Sequence, residues 1–116
     1  ARQLKGLLED AEKDMARGAY SDASVKLDEA LRRAPDNPQV KELMAKVQTT
    51  LSLQLESLVA LGDRLYRDEQ IGPAVAVWET ALELDPHHEE ISEKIDRARR
   101  VLEKLESIRS RPDGAE

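Results

Sequence analysis

The chain has 116 residues, 24 acidic against 18 basic, a net charge of −6 and no cysteine. Without cysteine there are no disulfides, thiolate zinc sites or thiol nucleophiles, and Lys and Arg interleaved with the acids form no basic stripe for phosphate, so no nucleic-acid partner is expected. No apolar run approaches the ~20 residues of a membrane span, so no direct membrane insertion by this segment is expected.

In chain order, Leu7 and Ala11 lie on a first helix that Gly18 ends, since glycine enters the left-handed region without a Cβ penalty. Ala23, Leu27 and Ala30 mark a second helix that closes before Pro35. Asn37 followed by Pro38 is a start signal, an N-cap with proline at the first helical position. Apolar residues then recur at Val40, Met44, Val47, Leu51, Leu58, Leu61 and Leu65, with no Gly or Pro before Gly62. This predicts one helix over 38–67, ~45 Å long at 1.5 Å per residue. Thr49, Thr50 and Ser52 are weak helix formers, and a helical hairpin broken there is the alternative.

Gln70, Ile71 and Gly72 lead into Pro73, which is expected to open the next helix, carrying Ala74, Trp78 and Ala81 up to Pro86. Ile91, Ile95, Ala98, Leu102, Leu105 and Ile108 then predict a long amphipathic helix to about residue 110. Residues 111–116, with Pro112 and Gly114, read as a disordered tail.

Leu58, Leu61, Gly62, Leu65, Ala74, Trp78, Ala81 and Pro86 fall at the spacings L-x2-L-G-x2-L and A-x3-W-x2-A with a closing proline, and Leu7, Ala11, Ala23, Leu27, Ala30 and Pro35 fit the same frame. On these residues the chain resembles a tetratricopeptide-repeat (TPR) protein with two repeats, about 4–37 and 55–88. The resemblance implies an all-α fold of about five helices: tetratricopeptide-like helical hairpins, a long shared central helix and a long C-terminal capping helix. The implied organisation is a first TPR unit plus the capping half of the long helix over 1–50, a second unit plus the C-terminal capping helix over 51–110, and the tail. Pro35 and Pro86 are 51 residues apart, against ~34 for abutting copies, so the central helix also carries an inserted stretch. Alanine or glycine at Ala11, Gly62, Ala23, Ala74, Ala30 and Ala81 lets antiparallel helices approach to ~8–10 Å, with Leu7, Leu58, Leu27 and Trp78 filling the gaps. Trp78 is thus expected in the core, and Tyr20 packed at the inter-helix turn. Asp10 and Asp14 stand where the family has apolar and aromatic residues, which predicts a loosely packed first helix.

For function the resemblance implies a non-enzymatic protein-protein interaction module, a scaffold or adaptor with a protein or peptide partner and no cofactor. It reads as a fragment of a larger bacterial scaffold or assembly protein. The stretch from Leu65 to Ile108 resembles C-terminal repeats of bacterial envelope accessory proteins, which implies a periplasm or cell-envelope setting. By alignment, the inner face of each first helix is the candidate partner-binding groove: Leu8, Glu12 and Met15 in one copy, Val59, Asp63, Tyr66 and Arg67 in the other. Family members that clamp a C-terminal carboxylate have basic and Asn residues here. Leu8, Glu12 and Asp63 depart from that pattern, so a partner with apolar anchors and basic flanks is expected. His87, His88, Glu89 and Glu90 are adjacent, whereas a helical metal site needs ligands at i and i+4. Arg97, Arg99 and Arg100 read as a solvated face among Glu93, Glu103 and Glu106.

A structural self-assembly element is the alternative. The middle of the long helix at Val47, Leu51, Leu55 and Leu58, and a second stripe at Leu102, Leu105 and Ile108, have few predicted helices to cover them. Each Leu-sized side chain left in water forgoes ~1.5–3 kcal/mol, which predicts a homodimer by a two-fold contact or by exchange of the long helix. Gln54 on the same seam is a polar position that could set register.

Overall fold

The apolar stripes become five helices in the computed structural model, which describes residues 3–111: α1 (Leu4–Ala16), α2 (Tyr20–Arg33), α3 (Pro38–Arg67), α4 (Ile71–Leu84) and α5 (Glu89–Arg109). The described residues contain no strand, and the fold is all-α. The expected tail lies, apart from Arg111, outside the described residues. No helix is long and apolar enough to cross a membrane among the described residues.

Helix α3 is one unbroken helix through Thr49, Thr50 and Ser52. The Thr50 hydroxyl donates to the Lys46 carbonyl at 3.0 Å, so this residue satisfies its polar group within the helix. At its start, Asn37 Oδ1 accepts from the N–H groups of Gln39 and Val40 at 2.9 and 3.2 Å, capping donors that have no intrahelical partner.

The chain divides into two compact units, one through Leu53 and one from Gln54, with the boundary inside α3. In the first, α1, α2 and the early part of α3 bury Leu7, Leu27, Val40 and Val47 almost completely around Ala11, Ala23 and Ala30. In the second, the later part of α3, α4 and α5 surround Trp78, Ile91 and Ile95, with Ala74, Ala81 and Ala98 at full burial.

The two units repeat one pattern of backbone bonds at the 51-residue offset of the prolines. Ala19 N–H donates to the Asp14 carbonyl at 2.7 Å, and Gln70 N–H to the Leu65 carbonyl at 2.8 Å. Gly18 N–H reaches the Met15 carbonyl and Glu69 N–H the Tyr66 carbonyl, both at 3.0 Å. Asn37 N–H reaches the Ala34 carbonyl and His88 N–H the Asp85 carbonyl, both at 3.2 Å. His88 repeats the role of Asn37 as well, its Nδ1 accepting from Ile91 N–H at 3.3 Å. The buried residues follow the same offset: Ala23 and Ala74, Leu27 and Trp78, Val40 and Ile91, Met44 and Ile95, Val47 and Ala98. The residues read as an insertion are therefore the third helix of the unit, present again as α5.

Three expectations change. Helix α4 begins at Ile71, so Pro73 lies inside the first turn, and the left-handed residue of that turn is Glu69, with φ 65°, where the first unit has Gly18 at φ 80°. Helix α1 is tightly packed, because Asp14 is buried yet paired: Arg17 donates to it at 2.9 Å and Lys26 from α2 forms a second ion pair. The second unit has Leu65 and Val77 at the positions of Asp14 and Lys26, both partly buried, so one fold position is solved once by an ion pair and once by apolar side chains. Third, the middle of α3 is not an open stripe. Val47 is fully buried in the first core, Leu51 packs against that core, and Leu55, Leu58 and Leu102 pack against the second. Of these, Leu51, Leu55, Leu58 and Leu102 are partly buried, each against the core of its own unit. Leu105 and Ile108, about half exposed, remain open, as does Leu53.

Candidate functional site

Close helix pairing differs between the units. In the first, α1 and α2 make the closest pairing; in the second, α4 and α5 do. Side-chain volume differs at the equivalent positions. Where the first unit sets Leu27 and Ala11 into its core, the second has Trp78 and Gly62. The indole fills the space that a side chain at Gly62 would take, between the later part of α3 and α4.

Beside the indole the second unit holds a cleft of about 240 Å³, lined by Asp63, Tyr66 and Arg67 from α3, Trp78 from α4, and Lys94 and Arg97 from α5. Its floor is aromatic. Tyr66 and Trp78 lie with ring centroids 5.7 Å apart, tilted by 36°, within the range of favourable aromatic pairs. Lys94 Nζ stands 5.7 Å from the Trp78 ring centre, inside cation–π range, and donates to Asp63 Oδ1 at 3.0 Å. One lysine thus holds both the carboxylate and the indole. Arg67 and Arg97 are exposed, and neither is ion-paired to a carboxylate among the described residues. The cleft carries three cations against one carboxylate on a chain of net charge −6.

Of the seven candidate groove residues, this cleft gathers three: Asp63, Tyr66 and Arg67. Val59 is partly buried against the second core. In the first unit Leu8, expected on the open face, is only 6% exposed and belongs to the core, so it cannot offer a groove surface; the neighbouring helices cover it. Glu12 is exposed and Met15 partly buried. Trp78 is buried, as its packing position predicts, and also lines the cleft.

Lys94 and Arg97 were not among the candidates, because they come from α5, the third helix of the unit. A signal for them exists in the 51-residue offset: Lys94 falls where the first unit has the buried Leu43, and a long cation in place of a core leucine marks an altered surface. With Lys94 pairing Asp63, the second-unit part of the groove expected to be mixed apolar and acidic carries three cations against one carboxylate.

His88 is a helix cap, and among the described residues no group of three or more His, Cys, Asp or Glu is placed to hold a metal ion. A scan against protein-family models, a search of curated proteins and a search of solved structures found no match to this chain.

Proposed function

We propose that this chain is a non-enzymatic protein-interaction module of the tetratricopeptide-repeat type, a scaffold or adaptor segment, whose second unit seats a partner side chain in the cleft between Tyr66, Trp78 and the cations of α5. The duplicated helical unit supports this reading, since stacked helical hairpins present grooves assembled from several helices. The observation that carries it is the cleft itself. Two aromatic rings and exposed arginines in one recess are the composition that dominates binding at protein interfaces. At about 240 Å³ the recess suits one or two side chains rather than a cofactor. The resemblance to bacterial envelope accessory proteins extends the proposal to a periplasmic or cell-envelope setting.

The test is a peptide-display selection on the immobilised protein, repeated with Tyr66→Ala/Arg67→Ala. The reading requires that peptides enriched on the wild type lose binding to the variant while its helicity is kept. Equal enrichment on both proteins overturns it.

A second reading, a homodimeric self-assembly element, is favoured by one observation. Leu105 and Ile108, a helical turn apart on α5, are 46% and 48% exposed. Their contact would be isologous, the same surface from each copy.

A further inference from the structure

The two units share one backbone plan, so the first serves as an internal reference for what the second has added. At the positions of Asp63, Tyr66, Arg67, Trp78, Lys94 and Arg97 the first unit has Glu12, Met15, Ala16, Leu27, Leu43 and Lys46. There a leucine core fills the place of the indole, with Leu27 fully buried and Leu43 8% exposed, and the counterparts Met15 and Lys46 line a recess that holds no pair of aromatic rings and no arginine. In the second unit the small helix residue recedes to Gly62, the indole widens the space, and Lys94 and Arg67 replace Leu43 and Ala16. Packing does not call for these two substitutions. A leucine and an alanine suffice at the same places 51 residues earlier.

The charges divide into a fixed pair and a free pair. Lys94 is neutralised by Asp63 at 3.0 Å and held over the Trp78 face, with only about a quarter of its side chain exposed. Its ammonium anchors the wall. Arg67 and Arg97 line the same recess from different helices, exposed and without an ion-pair partner among the described residues. Guanidinium groups present planar pairs of donors that match a carboxylate in bidentate fashion. A recess with an aromatic floor and two unengaged guanidinium groups at its rim is complementary to a carboxylate side chain carried beside an apolar one.

We infer that the second-unit cleft selects an acidic segment of its protein partner, with a Glu or Asp carboxylate received by Arg67 and Arg97 and an adjacent aliphatic side chain on the Tyr66–Trp78 floor. This rests on the reading of the cleft as a protein-binding site. It reverses the expectation of a partner with basic flanks, which rests on Leu8, Glu12 and Asp63; Lys94 takes the Asp63 carboxylate. On a chain of net charge −6, three cations around one carboxylate give this recess the sign that an acidic segment needs.

The experiment uses the whole chain and the emission of Trp78, its single tryptophan, which lines the recess. The probes are the blocked hexapeptide Ac-Ala-Leu-Glu-Glu-Leu-Ala-NH2, its Gln-Gln and Lys-Lys counterparts, and the Gln-Gln peptide with a free C-terminal carboxylate. The Glu-Glu peptide is expected to change the emission saturably, at least about tenfold more tightly than the Gln-Gln or Lys-Lys peptide, and to weaken as salt is raised. Arg67→Ala/Arg97→Ala should remove that advantage with an unchanged far-UV spectrum, both side chains being exposed. If the Gln-Gln peptide perturbs Trp78 as tightly as the Glu-Glu peptide, the cleft binds peptides but not by charge, and this inference falls while the binding reading stands. If only the free-carboxylate peptide binds, the cleft takes a chain terminus and the acidic segment is overturned. Should no peptide perturb Trp78, both readings fall.

Discussion

The pyrrole edge of Trp78 occupies the space that a side chain at Gly62 would need, its Nε1, Cδ1 and Cε2 all overlapping the position of a Cβ there. Two opposing effects decide what Gly62→Ala does. Alanine gains about 1 kcal/mol of helix propensity, and forcing a methyl group into a filled core costs about 1–3 kcal/mol. The indole is rigid and buried, so the clash should win in the wild type. In the Trp78→Leu background, where the same Gly62→Ala change completes the alanine–leucine combination of the first unit, it should stabilise. Urea unfolding of the four proteins should therefore give a coupling above about 1 kcal/mol. Additive effects would mean that Gly62 and Trp78 do not press on each other.

Trp78→Ala, which empties the centre of the second core, should cost about 3–5 kcal/mol by the same measurement.

Asp14 predicts the acid sensitivity of the first unit. Hydrogen bonds from Lys26 and then Arg17 hold its carboxyl below the ordinary carboxylate value, outweighing the opposite push of burial. Its folded-state pKa thus lies below the unfolded one. The contribution to stability is complete above the usual carboxylate range, about pH 4, and is lost as pH falls through the folded value. Asp14→Leu/Lys26→Val, which imports the Leu65 and Val77 solution of the second unit, should flatten the loss of stability below about pH 4. Thermal melts of both proteins across that range test it, and parallel acid profiles would show that Asp14 is not the sensitive group.

The two inter-helix turns give a paired prediction. Gly18 and Glu69 both adopt positive φ, at 80° and 65°, and a side chain in the left-handed region costs about 1–2 kcal/mol. Glu69→Gly should raise stability by up to about 1 kcal/mol, after the entropy that glycine loses on folding. Gly18→Ala should lower it by about 1 kcal/mol. Urea midpoints moving in the same direction for both would contradict the shared turn geometry.

Much of this architecture is legible in the residues themselves. Asn37 before Pro38, Gly18 after α1 and the apolar steps of α3 carry local chemistry that decides helix starts, stops and continuity. The burial of Leu8 and Val47 was not legible, because each lies on a face that only the neighbouring helices of its own unit close. Asp14 reads from the sequence as a packing defect, since one of its two cations, Lys26, stands twelve residues on and across a turn. The cleft was half visible. Tyr66, Arg67 and Asp63 share one helix, whereas Trp78, Lys94 and Arg97 join them only through tertiary packing.

Self-association is tested at α5. Leu51→Glu would place a charge beside the first core and confound stability with assembly, because Leu51 packs there. Leu105→Glu/Ile108→Glu changes exposed positions only. Sedimentation equilibrium should give about twice the 13.0 kDa chain mass for the wild type and a monomer for the variant. A wild-type monomer would set the self-assembly reading aside.

The most direct measurement of the binding claim is the indole N–H resonance of Trp78 in a two-dimensional proton–nitrogen spectrum, a single signal because the chain has one tryptophan. Titration with a display-selected peptide should shift that resonance saturably, together with the amides of Tyr66, Arg67 and Arg97, while those of Leu7 and Leu27 in the first core stay in place. Shifts confined to the first unit, or to the α5 turn of Leu105 and Ile108, would place partner binding elsewhere and contradict the account.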